Sequence, residues 1–183
     1  MKKLFLTLVL AFTGIFAANA QVWIGGSLEG YANDNRSQVT VTPEIGYSFT
    51  DSRWTIATGA RVELDIYNRG VQETYFALSP YVRYSLMKIE KFSVFMDLTG
   101  DLGLKGYKNG DKFPFRVALQ SGVAFNPTKH WTAAFRFGLI GYDHTGCFTD
   151  YGKDKHDQDK TQARGFILGF AAAAPSFGLY YNF

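Results

Sequence analysis

The chain has 183 residues, of which 46% are hydrophobic, 17% aromatic and 19% charged, with a formal net charge of +3. So many Phe and Tyr exclude a disordered chain, which lacks the aromatic residues needed to bury surface. The absence of any apolar run of about 18 residues after position 20 excludes a bundle of membrane helices.

The chain opens MKKLFLTLVLAFTGIFAANA. Lys2 and Lys3 form a basic start, Leu4 to Phe16 an apolar stretch, and Ala18-Asn19-Ala20 a small-residue cleavage site. This is the pattern of a secretory signal peptide, residues 1–20, with export and cleavage before Gln21 expected. One domain, residues 21–183, follows. Lys2 and Lys3 supply two of the three excess positive charges, so the mature chain is near neutral. It has no clustered Lys and Arg of the kind that binds nucleic acid, and no nucleic-acid partner is expected. Cys147 is the single cysteine, which rules out an internal disulfide framework.

From residue 22 the hydrophobic period is two, the signature of strands with unlike faces. Eight strands are predicted: Val22–Ala32, Gln38–Phe49, Trp54–Ile66, Glu73–Leu86, Phe92–Lys105, Phe113–Asn126, Trp131–Tyr142 and Arg164–Phe183. Short turn-rich pieces (TDSR, MKIEK, PTKH) alternate with longer ones, the longest being Asp143–Ala163. In the fifth strand Phe92, Val94, Met96 and Leu98 oppose Ser93, Phe95, Asp97 and Thr99. The first seven strands carry Glu29, Glu44, Arg61, Glu63, Asp65, Glu73, Arg83, Asp97, Asp101, Lys105, Arg116 and Arg136, all on the face opposite the aliphatic one.

Two barrels fit this pattern. A soluble ligand-binding barrel turns its apolar face inward; a membrane barrel turns it toward lipid and keeps its charges in a polar lumen. Strand length favours the membrane, because a tilted span needs about 9–11 residues. So do the aromatics Phe49, Trp54, Phe92, Phe125, Trp131, Tyr181 and Phe183, which fall near one barrel end on the apolar face, as an interface girdle requires. The expected fold is all-β: an eight-stranded antiparallel up-and-down transmembrane β-barrel. The short turns TDSR, MKIEK and PTKH are expected on the periplasmic side and the long Asp143–Ala163 segment on the extracellular side, and an even strand number then leaves both termini periplasmic.

Several segments resemble the outer-membrane β-barrel (porin-family) domain common in Bacteroidetes. They are Trp23-Ile24-Gly25-Gly26-Ser27-Leu28, Thr42-Pro43-Glu44-Ile45-Gly46-Tyr47 before Trp54-Thr55-Ile56-Ala57, Ser79-Pro80-Tyr81-Val82-Arg83-Tyr84, and Phe177-Gly178-Leu179-Tyr180-Tyr181-Asn182-Phe183. The resemblance covers essentially the whole mature chain and implies a small outer-membrane barrel. It brings no catalytic residues. Phe183 also resembles the C-terminal aromatic signal read by the barrel-assembly machinery, the one protein partner expected besides outer-membrane lipid; a monomer is expected.

Thr42–Phe49 and Ser79–Leu86 echo one another. Their prolines, Pro43 and Pro80, cannot donate to a ladder, so a bulge or a local break is predicted at each. In the last strand Phe166, Leu168 and Phe170 lie on one parity and Phe177, Leu179, Tyr181 and Phe183 on the other. A one-residue shift is predicted, at Ala174-Pro175.

Side chains fill the interior of an eight-stranded barrel. The expected role of the lumen charges is a salt-bridged plug; the alternative is a narrow pore for ions or small solutes. A lipid-modifying enzyme would need a base beside a nucleophile at the outer leaflet. His130 lies in a predicted periplasmic turn, and Asp143 and His144 are neighbours pointing to opposite faces. No catalytic residue, metal or cofactor is expected: His144, Cys147 and His156 show no ligand spacing.

Overall fold

The computed structural model describes residues 20–32, 36–67, 70–105, 113–144, 165–169 and 175–183. The expected signal peptide lies outside the described residues except for Ala20, the first residue of β1. The strands are β1 (Ala20–Ala32), β2 (Arg36–Phe49), β3 (Trp54–Tyr67), β4 (Gly70–Ile89), β5 (Phe92–Lys105), β6 (Phe115–Phe125), β7 (Trp131–Asp143), β8 (Gly165–Gly169) and β9 (Ser176–Asn182). No helix occurs among the described residues. Each strand runs antiparallel to its neighbours. β9 pairs with both β1 and β7 and closes the ring.

β8 and β9 are two halves of one stave. β8 pairs with Leu139–Asp143 of β7, and β9 pairs with Trp131–Arg136. The barrel therefore has eight staves, but the last is interrupted. Where β7 uses residues 137–138 between these two pairings, the last stave uses residues 170–175. The break is thus wider than the single-residue bulge expected at Ala174-Pro175. Pro175 lies outside either strand, and residues 170–174 lie outside the described residues. The parity change is present: Phe166 (92% exposed) and Phe177 both point outward.

Several other boundaries move: β1, β2 and β4 begin two or three residues earlier than expected, at Ala20, Arg36 and Gly70, and β3 ends one later, at Tyr67. β4 continues through Met87–Ile89, so only Glu90 and Lys91 of the expected MKIEK turn remain a turn, with Glu90 at φ 45°. β6 begins at Phe115, not Phe113. β7 extends to Asp143, which the sequence places in the long loop.

The prolines break the ladder without shifting it. Val41↔Val62 and Glu44↔Gly59 keep one register across Thr42-Pro43 on the β3 side. Leu78↔Leu102 and Tyr81↔Thr99 do the same across Ser79-Pro80 on the β5 side. In both echo segments the gap faces the following strand, where the missing proline N–H would have donated. The register shifts lie elsewhere, at Asp65/Ile66 between β3 and β4, at two places between β4 and β5, and at Gln120/Ser121 between β6 and β7.

The distribution of polarity is that of a globular protein inverted. Among the described residues, 27 large hydrophobic side chains are exposed and ten hydrophobic residues are buried, and none of those ten is Leu, Ile, Val or Met. Among the described residues the interior holds no aliphatic core. It contains Tyr and Trp, small residues, hydroxyls and charges, whereas an ordinary domain buries its aliphatics.

Aromatics fill the inner space by crossing glycines. The Trp23 indole lies over Gly46, where an added Cβ would fall 2.1 Å from Trp23 Cζ2. Phe95 lies over its ladder partner Gly122, where a Cβ would stand 2.3 Å from Phe95 Cζ and 2.8 Å from the Phe135 carbonyl. Phe95 cannot yield easily, because the Arg83 guanidinium sits 3.6 Å above its ring. Gly122→Ala is therefore expected to cost about 1–3 kcal/mol, the usual range for overpacking. A lowered urea midpoint with unchanged slope would show it.

Candidate functional site

Alternation along each stave sends every second side chain inward, and closure brings residues from distant strands together. Glu44 on β2 is the hub. Its carboxylate accepts hydrogen bonds from Ser27 Oγ on β1 (2.6 Å), Tyr81 OH on β4 (2.6 Å) and Tyr180 OH on β9 (3.2 Å). Arg136 on β7 reaches across the barrel and donates to both Glu44 oxygens, at 3.1 and 2.9 Å. The same guanidinium donates through Nε to Asp97 on β5 at 3.0 Å. Asp97, fully buried, also accepts two bonds from Arg83 Nε and Nη2, at 2.7 and 2.8 Å. Arg83, Asp97, Arg136 and Glu44 thus form one chain of alternating charge spanning the interior.

A second group lies toward the end away from the termini. Arg61 pairs with Glu29 at 3.1 Å and with Glu63 at 3.6 Å. Glu63 also accepts a bond from Gln38 Nε2. Asp101 accepts from Ser79 Oγ at 2.6 Å and from Arg116 Nε at 2.7 Å. Asp143 is fully buried and stands directly across the ladder from Arg116. Residues of both groups line a shared gap of about 30 Å3, room for little more than a water.

Nine of the twelve charges picked out by parity therefore meet in the lumen: Glu29, Glu44, Arg61, Glu63 and Arg83, with Asp97, Asp101, Arg116 and Arg136. The side chains of Asp65, Glu73 and Lys105 lie outside the described residues. Parity also missed one member. Asp143 is odd-numbered while Arg136 is even, and both point inward because Gly138 (φ 69°) inserts an extra residue into β7. A left-handed backbone at this point suits glycine. The signal was in the sequence: the outward series Trp131, Ala133, Phe135 gives way to Ile140 and Tyr142, so the phase changes at Gly138.

The seven predicted girdle aromatics sit at the end holding Ala20 and Phe183. Phe92 and Phe125 are ladder partners with ring centroids 4.8 Å apart. Trp131 and Tyr181 are partners at 5.3 Å, and Tyr181 contacts Phe183 at 5.2 Å. Trp54 packs on Tyr84 at 4.7 Å, and Phe49 on Tyr47 at 4.9 Å. The Phe183 amide donates to the Val22 carbonyl at 3.0 Å, tying the C-terminus to β1.

His130 lies in the turn after β6, its ring stacked on Tyr181. His144 lies at the opposite end, stacked on Phe115. Cys147, His156 and the rest of the long loop beyond His144 lie outside the described residues. Among the described residues no three potential ligands cluster to hold a metal.

No family model matches the chain. No curated protein matches it. Among solved structures it is similar to one described as a de novo designed transmembrane β-barrel, with 8% sequence identity and a TM-score of 0.42, over 91% of this chain and 98% of that one.

Proposed function

We infer that this protein is an integral outer-membrane β-barrel with a closed polar lumen, whose role is structural or lies in surface interaction through its outer loops. One observation carries the reading: the aliphatic side chains are outside and the charges inside. In lipid that arrangement is stable, because the outer face dissolves in hydrocarbon and closure satisfies the backbone. In water the same face would expose an apolar band far beyond what monomers tolerate. The signal-peptide pattern and the Bacteroidetes-type motifs support the outer membrane. The termini, the short turns and the aromatic ring at one end support a periplasmic placement of that end.

Fractionation tests the membrane reading. The protein is expected in the outer-membrane fraction and to run faster on SDS gels before boiling than after. Recovery as a detergent-independent soluble monomer would overturn it.

The paired charges support a plug over a pore. Arg136 reaches from β7 to β2 and β5 and crosses any axial path. In planar bilayers no discrete conductance steps are expected; steps carrying ions or small solutes would establish the pore. The role is non-enzymatic on this reading, since His130 and His144 lie at opposite ends. Lipid A mass spectra are expected to be unchanged by deletion of the gene. The expected partners are outer-membrane lipid and, through Phe183, the barrel-assembly machinery, with the folded protein a monomer.

A further inference from the structure

The charged plug has an open space beneath it. At the termini end the barrel widens into a cup of about 450 Å3, closed at its floor by Arg83 and walled by the ends of β1 to β7 and β9. That volume is within the roughly 300–1,000 Å3 typical of small-molecule sites.

The chemistry of the wall is one-sided. Its ionisable side chains with a full charge are Arg83, Lys88 and Lys129, all cations, and no Asp or Glu lines it. At the floor, Arg83 commits Nε and Nη2 to Asp97, and Nη1 makes no other bond among the described residues. On one wall Asn182 Nδ2 donates to Thr132 Oγ1 at 3.0 Å, and Thr132 donates to Asn126 Oδ1 at 2.6 Å. That relay occupies the oxygen of Asn126 and leaves its amide nitrogen as a donor. Lys88, near the end of β4, donates to the Ser52 carbonyl at 3.2 Å and keeps two further N–H groups. Lys129 comes from the turn between β6 and β7. Serine and threonine hydroxyls fill the spaces between these groups.

Donors from the floor and from separate parts of the rim thus converge on a space without carboxylates. Such a site suits a compact ligand with several acceptor oxygens and negative charge. We propose that the cup binds a tetrahedral oxyanion, as free phosphate or as the phosphate monoester of a small polar molecule. The space exceeds a bare ion, so a monoester is the better filled. The plug closes the floor, so this is a blind receptor site and not the mouth of a channel. It depends on the barrel geometry and not on which compartment the cup faces.

Trp23 and Trp54 line the cup and supply the readout. The folded protein in zwitterionic detergent would be titrated with inorganic phosphate, glucose 6-phosphate and glucose while tryptophan emission is followed. Saturable changes are expected with the two phosphates and none with glucose. Tighter binding of the ester assigns the site to monoesters; equal binding assigns it to the free ion. The Lys88→Glu/Lys129→Glu variant touches neither lumen network and is expected to retain heat-modifiable mobility. It should weaken phosphate binding about tenfold or more, as loss of charged hydrogen bonds implies. The Lys88→Arg/Lys129→Arg variant should retain binding. The proposal falls if neither phosphate gives a saturable change, if glucose binds as well as its phosphate, or if the double charge reversal leaves affinity unchanged.

Discussion

Arg136→Met is expected to destabilise the folded barrel by about 3–5 kcal/mol, the cost of removing one partner from a buried ion pair. Among the described residues Arg136 is the single cation that joins Glu44 to Asp97, with bonds of 2.9 to 3.1 Å to both. Without it Glu44 keeps only its hydroxyl donors, Ser27, Tyr81 and Tyr180, and Asp97 keeps Arg83. Glu44 is then left buried with no guanidinium bonded to it, while Asp97 retains Arg83. Adding Glu44→Gln removes the stranded charge while preserving the shape, so the double variant should cost less than the sum of the single changes by about 0.5–3 kcal/mol. Urea unfolding in micelles, read by tryptophan emission, measures all three variants. Strict additivity would show that the two residues are not coupled.

Leu98→Arg should be costly for the opposite reason. Leu98 lies in the middle of β5, 52% exposed, between Val82 and Leu119 on the ladder. On the lipid face of a barrel an arginine near the midplane costs about 2–4 kcal/mol, falling to about 0–1 near the interface. Phe92→Arg, at the girdle end of the same strand, should therefore cost much less. Reversible unfolding in lipid vesicles gives the two values. Equal costs, or none, would mean that this face does not meet hydrocarbon. The pair of variants tests the outer surface as Arg136→Met tests the inner one.

Much of this architecture is legible in single strands. Leu98 and Asp97 are neighbours on opposite faces because the strand period is two, and no tertiary information is needed to separate them. The same applies to the aromatics beside the short turns, such as Phe92 and Trp131. The echo of Thr42-Pro43-Glu44 in Ser79-Pro80-Tyr81 also places two ladder breaks correctly, since a proline has no N–H wherever it is put. What was less legible was length. The extension of β4 through Ile89 depends on Lys88-Ser93 and Ile89-Phe92 pairing, and turn-forming polar residues concealed it.

The sequence by itself determined that the chain forms alternating strands, which face of each carries charge, and that the phase changes late in the chain. These are local properties of a backbone whose side chains point alternately to two sides. Only the tertiary structure decided which charges meet. Glu44 and Arg136 are 92 residues apart on staves that are not neighbours, and they come together because the sheet closes on itself. It also decided that Asp143 stands across from Arg116, because β6 and β7 pair there, and that the charged side chains lining the space below the plug are all cations. Closure creates the interior, and pairing across it is a property of the ring that no single strand contains.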